Sequence, residues 1–292
     1  MLKDHLTSPL EEEHRILLED LAELNELLIT FLRELDPAAW HQPAPAGTWT
    51  LPQTVAHLIS AAEWYNSALD HTLQQQPFKT PGFQVRQDLP AYNQQQILLR
   101  EHSSPEELVV ALHNALASTT VLAHHMTPEQ YAWPVVIPVF NRVLTLGELL
   151  ETQATHPGLV HGAQIALPYG QEPLWSRYST AFLQRMMERL FHLMSLTYWP
   201  ERGKGLQATL QFKIGGAAGG HWYVQVSPTG AQTGSGKGTS VRLTVWAASA
   251  DVFLRFATDS LTLRRALLTG KLFAYGQLLP LAPHILSLFS PT

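Results

Sequence analysis

Cysteine is absent from all 292 residues. That excludes a disulfide framework, a thiolate metal site and a cysteine nucleophile. Charge is scarce too, with 15% charged residues against about 25% in an ordinary globular protein. At 45% hydrophobic residues the chain still has the apolar surface to fold, which argues against disorder. No apolar run approaches the ~18 residues of a membrane span. Glu11, Glu12 and Glu13 stand where a secretory leader needs its apolar stretch, so the expected location is cytoplasmic. No segment combines dense basic residues with interleaved aromatics, and nucleic acid is not an expected partner.

What is present falls into two parts. Residues 1–170 hold 7 Lys/Arg and 19 Asp/Glu, a net of −12, whereas residues 171–292 hold 12 and 5, a net of +7. A length near 300 also suggests about two domains. In the first part Leu17, Leu21, Leu24, Leu28, Leu32 and Leu35 recur at spacings of three and four, one helical stripe that Pro37 ends. Thr50-Leu51-Pro52-Gln53 has the form of a capping box and opens a second helix to about Leu73. Ser104-Pro105-Glu106-Glu107 opens a third to about His125, and Thr145-Leu146-Gly147-Glu148 a fourth. With a short helix in the 75–103 connection, residues 1–170 read as an all-α four-helix bundle.

Past Pro168, Gly170 and Pro173 the period changes. Residues 180–197 read as a helix. Leu206, Ala208, Leu210, Phe212 and Ile214 then alternate with Gln207, Thr209, Gln211 and Lys213, which predicts a strand with one buried face. Trp222, Val224 and Val226 predict a second strand, and Val241, Leu243 and Val245 a third. Helices are expected over 249–258 and 261–269, a strand over 271–276 and a terminal helix over 278–289. Residues 176–292 are thus an α+β domain, an antiparallel sheet with helices on one side. Gly234-Ser235-Gly236-Lys237-Gly238-Thr239 fails as a phosphate loop. Ala231 replaces its first glycine and Gly238 its final hydroxyl residue, so the segment reads as a flexible hairpin turn.

The run Ala266-Leu267-Leu268-Thr269-Gly270-Lys271-Leu272-Phe273-Ala274-Tyr275-Gly276, with Leu206–Ile214, the following Gly-rich turn and Trp222, resembles the sterol carrier protein 2 family over about 182–289. That resemblance implies an apolar tunnel for a lipid or other hydrophobic small molecule. Phe212, Trp222, Val224, Leu243, Phe253, Phe256, Phe273, Leu281 and Ile285 are the inward candidates for its lining. Alternation by itself does not distinguish a hollow core from a filled one. Arg242, Arg255, Arg264, Arg265 and Lys271 suit docking on the acidic bundle, transient contact with an anionic membrane surface, or plain solvation.

Gly47-Thr48-Trp49-Thr50 followed by Val55-Ala56-His57-Leu58, and Thr145–Glu151 followed by His161-Gly162-Ala163-Gln164-Ile165, resemble the DinB-like bundles of the mycothiol-dependent maleylpyruvate isomerase N-terminal type. The likeness covers about 10–167, and a bundle joined to a sterol-carrier-like domain is also that family's layout. It implies a divalent metal, zinc or nickel, on three side chains: His57 and two residues four apart on the last helix. It also implies a small thiol cosubstrate and isomerase or transferase chemistry. This chain departs from the pattern, because its candidates His156 and His161 are five apart. At about 100° per residue they fall about 140° off a common face. The residue four before His161 is Pro157, and four before His156 is Thr152. Pro157 next to Gly158 allows either a break or a bulge in the helix, and a bulge, which adds one residue, would return both rings to one side.

Two readings follow. One is a binder of a hydrophobic molecule whose bundle carries hydrogen-bonded core histidines. The alternative is a metal-dependent enzyme using His57, His156 and His161. No catalytic residue is assigned, and the sequence names neither the substrate nor the oligomeric state.

Overall fold

A computed structural model describes residues 9–45, 48–80, 82, 84–140, 142–258 and 260–289. Gly47 of the Gly-Thr-Trp-Thr motif lies outside them. The chain forms two compact units, one of residues 1–84, 90–137 and 143–157, the other of 85–89, 138–142 and 158–292.

The elements of the first part are α1 (Pro9–Glu34), α2 (Leu51–Leu73), α3 (Leu89–Leu98), α4 (Pro105–His124), the two-residue strands β1 (Pro134–Val135) and β2 (Leu144–Thr145), and α5 (Leu146–Thr155). The three predicted capping boxes all form: Thr50 with Gln53, Ser104 with Glu107 and Thr145 with Glu148 exchange side chain and backbone bonds. Each satisfies two amides that a helix start leaves without partners. The leucine stripe of α1 is buried along its whole length. α1 packs on α4 and α5, and α2 packs on the same two helices, which closes a ring of four. Polar contacts fix the register. Asn66 donates to Ala115 O (2.8 Å) and accepts from Thr119 Oγ1 (2.7 Å), and Asn25 donates to Thr120 Oγ1 (3.2 Å).

The second part contains α6 (Thr180–Thr197), the single turn α7 (Pro200–Gly203), β3 (Ala208–Ile214), β4 (Gly220–Ser227), β5 (Gly230–Ser235), β6 (Val241–Ala247), α8 (Ala250–Ala257), α9 (Leu263–Leu268) and β7 (Leu272–Tyr275). The sheet runs β5-β4-β3-β6-β7. It is mixed rather than antiparallel, because β6 pairs with β3 in parallel. β4 and β5 lie on one side of β3, so the chain must cross from β5 to the other side of β3 and enters β6 in the same direction as β3.

β5 is an addition to the expected strands. Its residues, Gly-Ala-Gln-Thr-Gly-Ser, carry no apolar alternation, and the strand is held by its ladder to β4. β3 also departs from the one-face expectation, since Thr209 and Gln211 are buried along with Leu210 and Phe212. The residues expected to form a flexible turn cause this. Gln211 Nε2 donates to Trp222 O (2.8 Å) and Gly236 O (3.0 Å), and its Oε1 accepts from Gly238 N (2.8 Å). A Cβ on Gly238 would stand 2.7 Å from Thr209 Cγ2 and 3.0 Å from Tyr223 Cβ, so only glycine lets the loop lie this close. The last segment, Leu279–Leu288, is 3-10 rather than α-helical. Its prolines at 280 and 283 carry no amide hydrogen for an α-helical ladder.

Gln211→Leu is expected to destabilise the protein by about 1–3 kcal/mol, because it strips the amide's bonds to Trp222 O, Gly236 O and Gly238 N and leaves the half-buried Gly238 N without Oε1. A lower urea midpoint at unchanged m-value would register it.

Candidate metal centre

The capping box at Thr50 fixes the start of α2, and His57 follows two turns later on its buried side. Trp49, just ahead of the cap, lays its ring 4.7 Å from the His57 ring. On α5, the Thr145–Glu148 box sets the start and His156 is the C-cap residue. The helix does not stop there. His156–Val160 forms a π turn, which accommodates one residue more than an α turn. Five residues therefore bring His161 back beside His156. The His57 and His156 rings are 5.3 Å apart, edge to face. One ligand nitrogen from each of His57, His156 and His161 lies within 4.8 Å of the other two. Of the two outcomes the sequence allowed at Pro157-Gly158, the bulge is the one that forms.

The environment suits metal ligation. His57 and His161 are buried, and His156 is half-buried. Burial pushes the His161 imidazole from its ordinary 6.5 down to about 4, partly offset by its bond to Gln164, so the ring is neutral near pH 7 as a ligand must be. His161 Nδ1 donates to Gln164 Oε1 (2.6 Å). Nδ1 then carries the proton and Nε2 keeps its lone pair for an ion. Three imidazoles with a fourth position open is a donor set that zinc or nickel accepts.

Close packing holds the π turn. A Cβ on Gly162 would fall 1.9 Å from Gly158 O and 3.1 Å from Trp175 Cε3, so residue 162 must be glycine. Gln153, one turn before His156, is 2% exposed, and neither end of its amide has a hydrogen-bond partner among the described residues. Leu146, Leu149, Leu150 and Gln153 stand at i, i+3, i+4 and i+7, so the amide occupies an apolar-stripe position on the His156 face. That break in the stripe was the sequence signal for it. Gln164 was legible only as part of a motif and not as the partner of a ligand.

The candidate tunnel residues are brought together only in part. Phe212, Trp222, Val224, Leu243, Phe253, Phe256 and Ile285 are buried. Phe191 of α6 lies 5.1 Å from Phe212, 4.7 Å from Trp222 and 5.4 Å from Phe253 by ring centroids, which is direct aromatic packing. Phe273 and Leu281 are not inward, being 46% and 38% exposed. Phe273 sits on the opposite sheet face, against Trp246 at 5.5 Å. A groove of about 490 Å³ in the bundle, lined by Thr72, Phe78, Trp133 and Val135 among others, has no titratable group in its walls. It opens fifteen or more residues further along α2 from His57, at least about 22 Å at helical rise.

Helical bundle, three-histidine cluster and following α+β region together define a class of two-part protein that carries a histidine cluster of metal-binding type. Residues 21–166, half of the chain, match the mycothiol maleylpyruvate isomerase N-terminal domain family, and the chain belongs to that family. The crystal structure of the mycothiol-dependent maleylpyruvate isomerase has a TM-score of 0.57 at 14% identity and covers 85% of this chain and 88% of its own. That of a point mutant has the same TM-score and identity and covers 86% and 91%. At this identity the likeness shows a shared fold. No curated protein matches the sequence. The family match ends at residue 166, so the sterol-carrier resemblance of the second half rests on its sequence motif.

Three outcomes are expected. Gly162→Ala should cost about 1–3 kcal/mol by overpacking the π turn, read by thermal or urea melting. Gln153→Met should be neutral or stabilising in metal-free protein, since it removes a buried amide that lacks a partner. For His161 the folded value lies below the unfolded one, so the unfolded chain binds more protons in between. Metal-free protein should keep this contribution above pH 6.5 and lose it as pH falls to about 4. A pH series of urea melts on wild type and His161→Gln would show it as a slope that the variant lacks.

Proposed function

We propose that the protein is a metal-dependent isomerase or transferase that takes a small thiol as cosubstrate. His57, His156 and His161 would hold a zinc or nickel ion. The observation that carries this is the π turn, which gathers three imidazoles from α2 and the end of α5 within 4.8 Å. A bound ion would lower the pKa of a water or thiol in its open position. The chain's own groups have separate tasks. Gln164 holds the His161 tautomer, Trp49 covers His57, and burial keeps His161 uncharged. Because the chain has no cysteine, the thiol must come from solution. Mycothiol, the cosubstrate named for the structural relative, is the candidate for this chain as well, and a maleylpyruvate-like unsaturated acid the candidate substrate.

The hydrophobic-ligand reading of the second half has less support. Its motif favours it, but the rings of Phe191, Phe212, Trp222 and Phe253 pack on one another where a tunnel would need space.

Elemental analysis of tag-free protein tests the metal reading. About one zinc or nickel per chain is expected for wild type, and loss of most of it for His57→Ala with the helical circular dichroism retained. Metal far below one per chain in wild type after equilibration with either ion would sink the proposal.

A further inference from the structure

Six of the second unit's eight exposed large apolar side chains gather in one stretch of chain. Leu267 and Leu268 at the end of α9, Phe273 and Tyr275 on β7, and Leu279 and Leu281 just beyond are between 38% and 78% exposed, with Leu268 the highest. They surround β7, the outermost strand at that side of the sheet. Phe273 and Tyr275, two apart on the strand, share its outer face.

The same stretch carries charge of one sign. Arg264, Arg265 and Lys271 are exposed, and residues 260–292 contain no Asp or Glu. Two further cations adjoin it from neighbouring strands. Lys213 Nζ donates to Tyr275 Oη (3.1 Å), and Arg242 Nε donates to Gln277 Oε1 (3.3 Å).

Leucine and aromatic side chains held in water beside cations with no carboxylate in their own stretch match the chemistry of one kind of partner. A second copy of the chain fits poorly, because pairing this patch with itself would set Arg264, Arg265 and Lys271 against their own copies. An anionic lipid surface supplies both complements, phosphates for the cations and an interfacial layer for leucine and phenylalanine. We propose that the β7 edge docks on anionic membrane surfaces. Leu267, Leu268, Phe273 and Leu279 enter the headgroup layer and Arg264, Arg265 and Lys271 pair with lipid phosphates. This contact is peripheral, since no helix among the described residues is long and apolar enough to cross a membrane, and it does not depend on the metal reading.

Vesicle co-sedimentation of the full chain tests it, with phosphatidylcholine alone and with phosphatidylcholine containing one third phosphatidylglycerol. Wild type should pellet with the anionic vesicles, bind neutral ones at least about tenfold more weakly, and lose binding as salt rises. Arg264→Glu with Arg265→Glu should abolish binding. Leu268→Ser with Leu279→Ser should weaken it about tenfold, and Leu268→Trp should strengthen it, all at unchanged thermal stability because these side chains are exposed. Absence of binding, equal binding to both vesicles, or retention by the double Glu variant would overturn the proposal. A wild-type dimer that Leu268→Ser with Leu279→Ser splits into monomers would also overturn it, by assigning the patch to a second copy.

Discussion

One extra residue in one helical turn decides whether three histidines meet. On an ideal α-helix His156 and His161 would diverge by about 140°, and His57 on α2 could meet only one of them. The π turn over His156–Val160 removes that divergence. It is maintained by sterics rather than by propensity. Pro157 cannot donate an amide hydrogen to an α-helical ladder, and Gly162 allows Gly158 O to approach closer than any side chain would permit. π turns disrupt regular hydrogen bonding and are frequent at functional sites. Here the turn accompanies three imidazoles whose ligand atoms lie within 4.8 Å of one another.

Much of the first unit could be read from sequence because its signals are local. A capping box lies within four residues, and a leucine stripe repeats within one turn, so helix starts and buried faces followed directly. The second unit shows where that ends. β5 has no apolar periodicity and exists through its partner β4. Gln211 looks solvent-facing by alternation, yet it is buried because a loop twenty-five residues later returns to bond it. The parallel β3–β6 pairing likewise depends on a long crossover that period-two patterns do not encode. At the histidine cluster, residue identities were legible and geometry was not. The sequence offered His57, His156 and His161 with a register conflict, and only the backbone of the turn resolves it.

The aromatic cluster of the second unit bears on what an apolar pattern can imply. Phe191, Phe212, Trp222 and Phe253 come from α6, β3, β4 and α8; Phe191 lies 4.7–5.4 Å by centroids from each of the other three, and Phe212 lies 5.7 Å from Phe253. At such distances rings fill the space between sheet and helices. Alternation demanded a buried sheet face, and that demand is met by close packing. The apolar side chains that packing leaves over are at the other end of the sheet, on β7 and its flanks, facing water.

The absence of cysteine and the neutrality of His161 belong to one chemical argument under the proposed function. An ordinary thiol has a pKa of about 8.5, so near pH 7 it is mostly protonated and weakly nucleophilic. A divalent ion stabilises the thiolate in proportion to the charge its ligands leave uncancelled. Carboxylate or thiolate ligands would cancel part of that charge; three neutral imidazoles cancel none. Burial, which keeps His161 unprotonated down to about pH 4, keeps that ring available as a donor across the range in which a free thiol needs activation. A chain without thiols of its own then has no internal competitor for the open position, and that position stays available to a thiol arriving from solution.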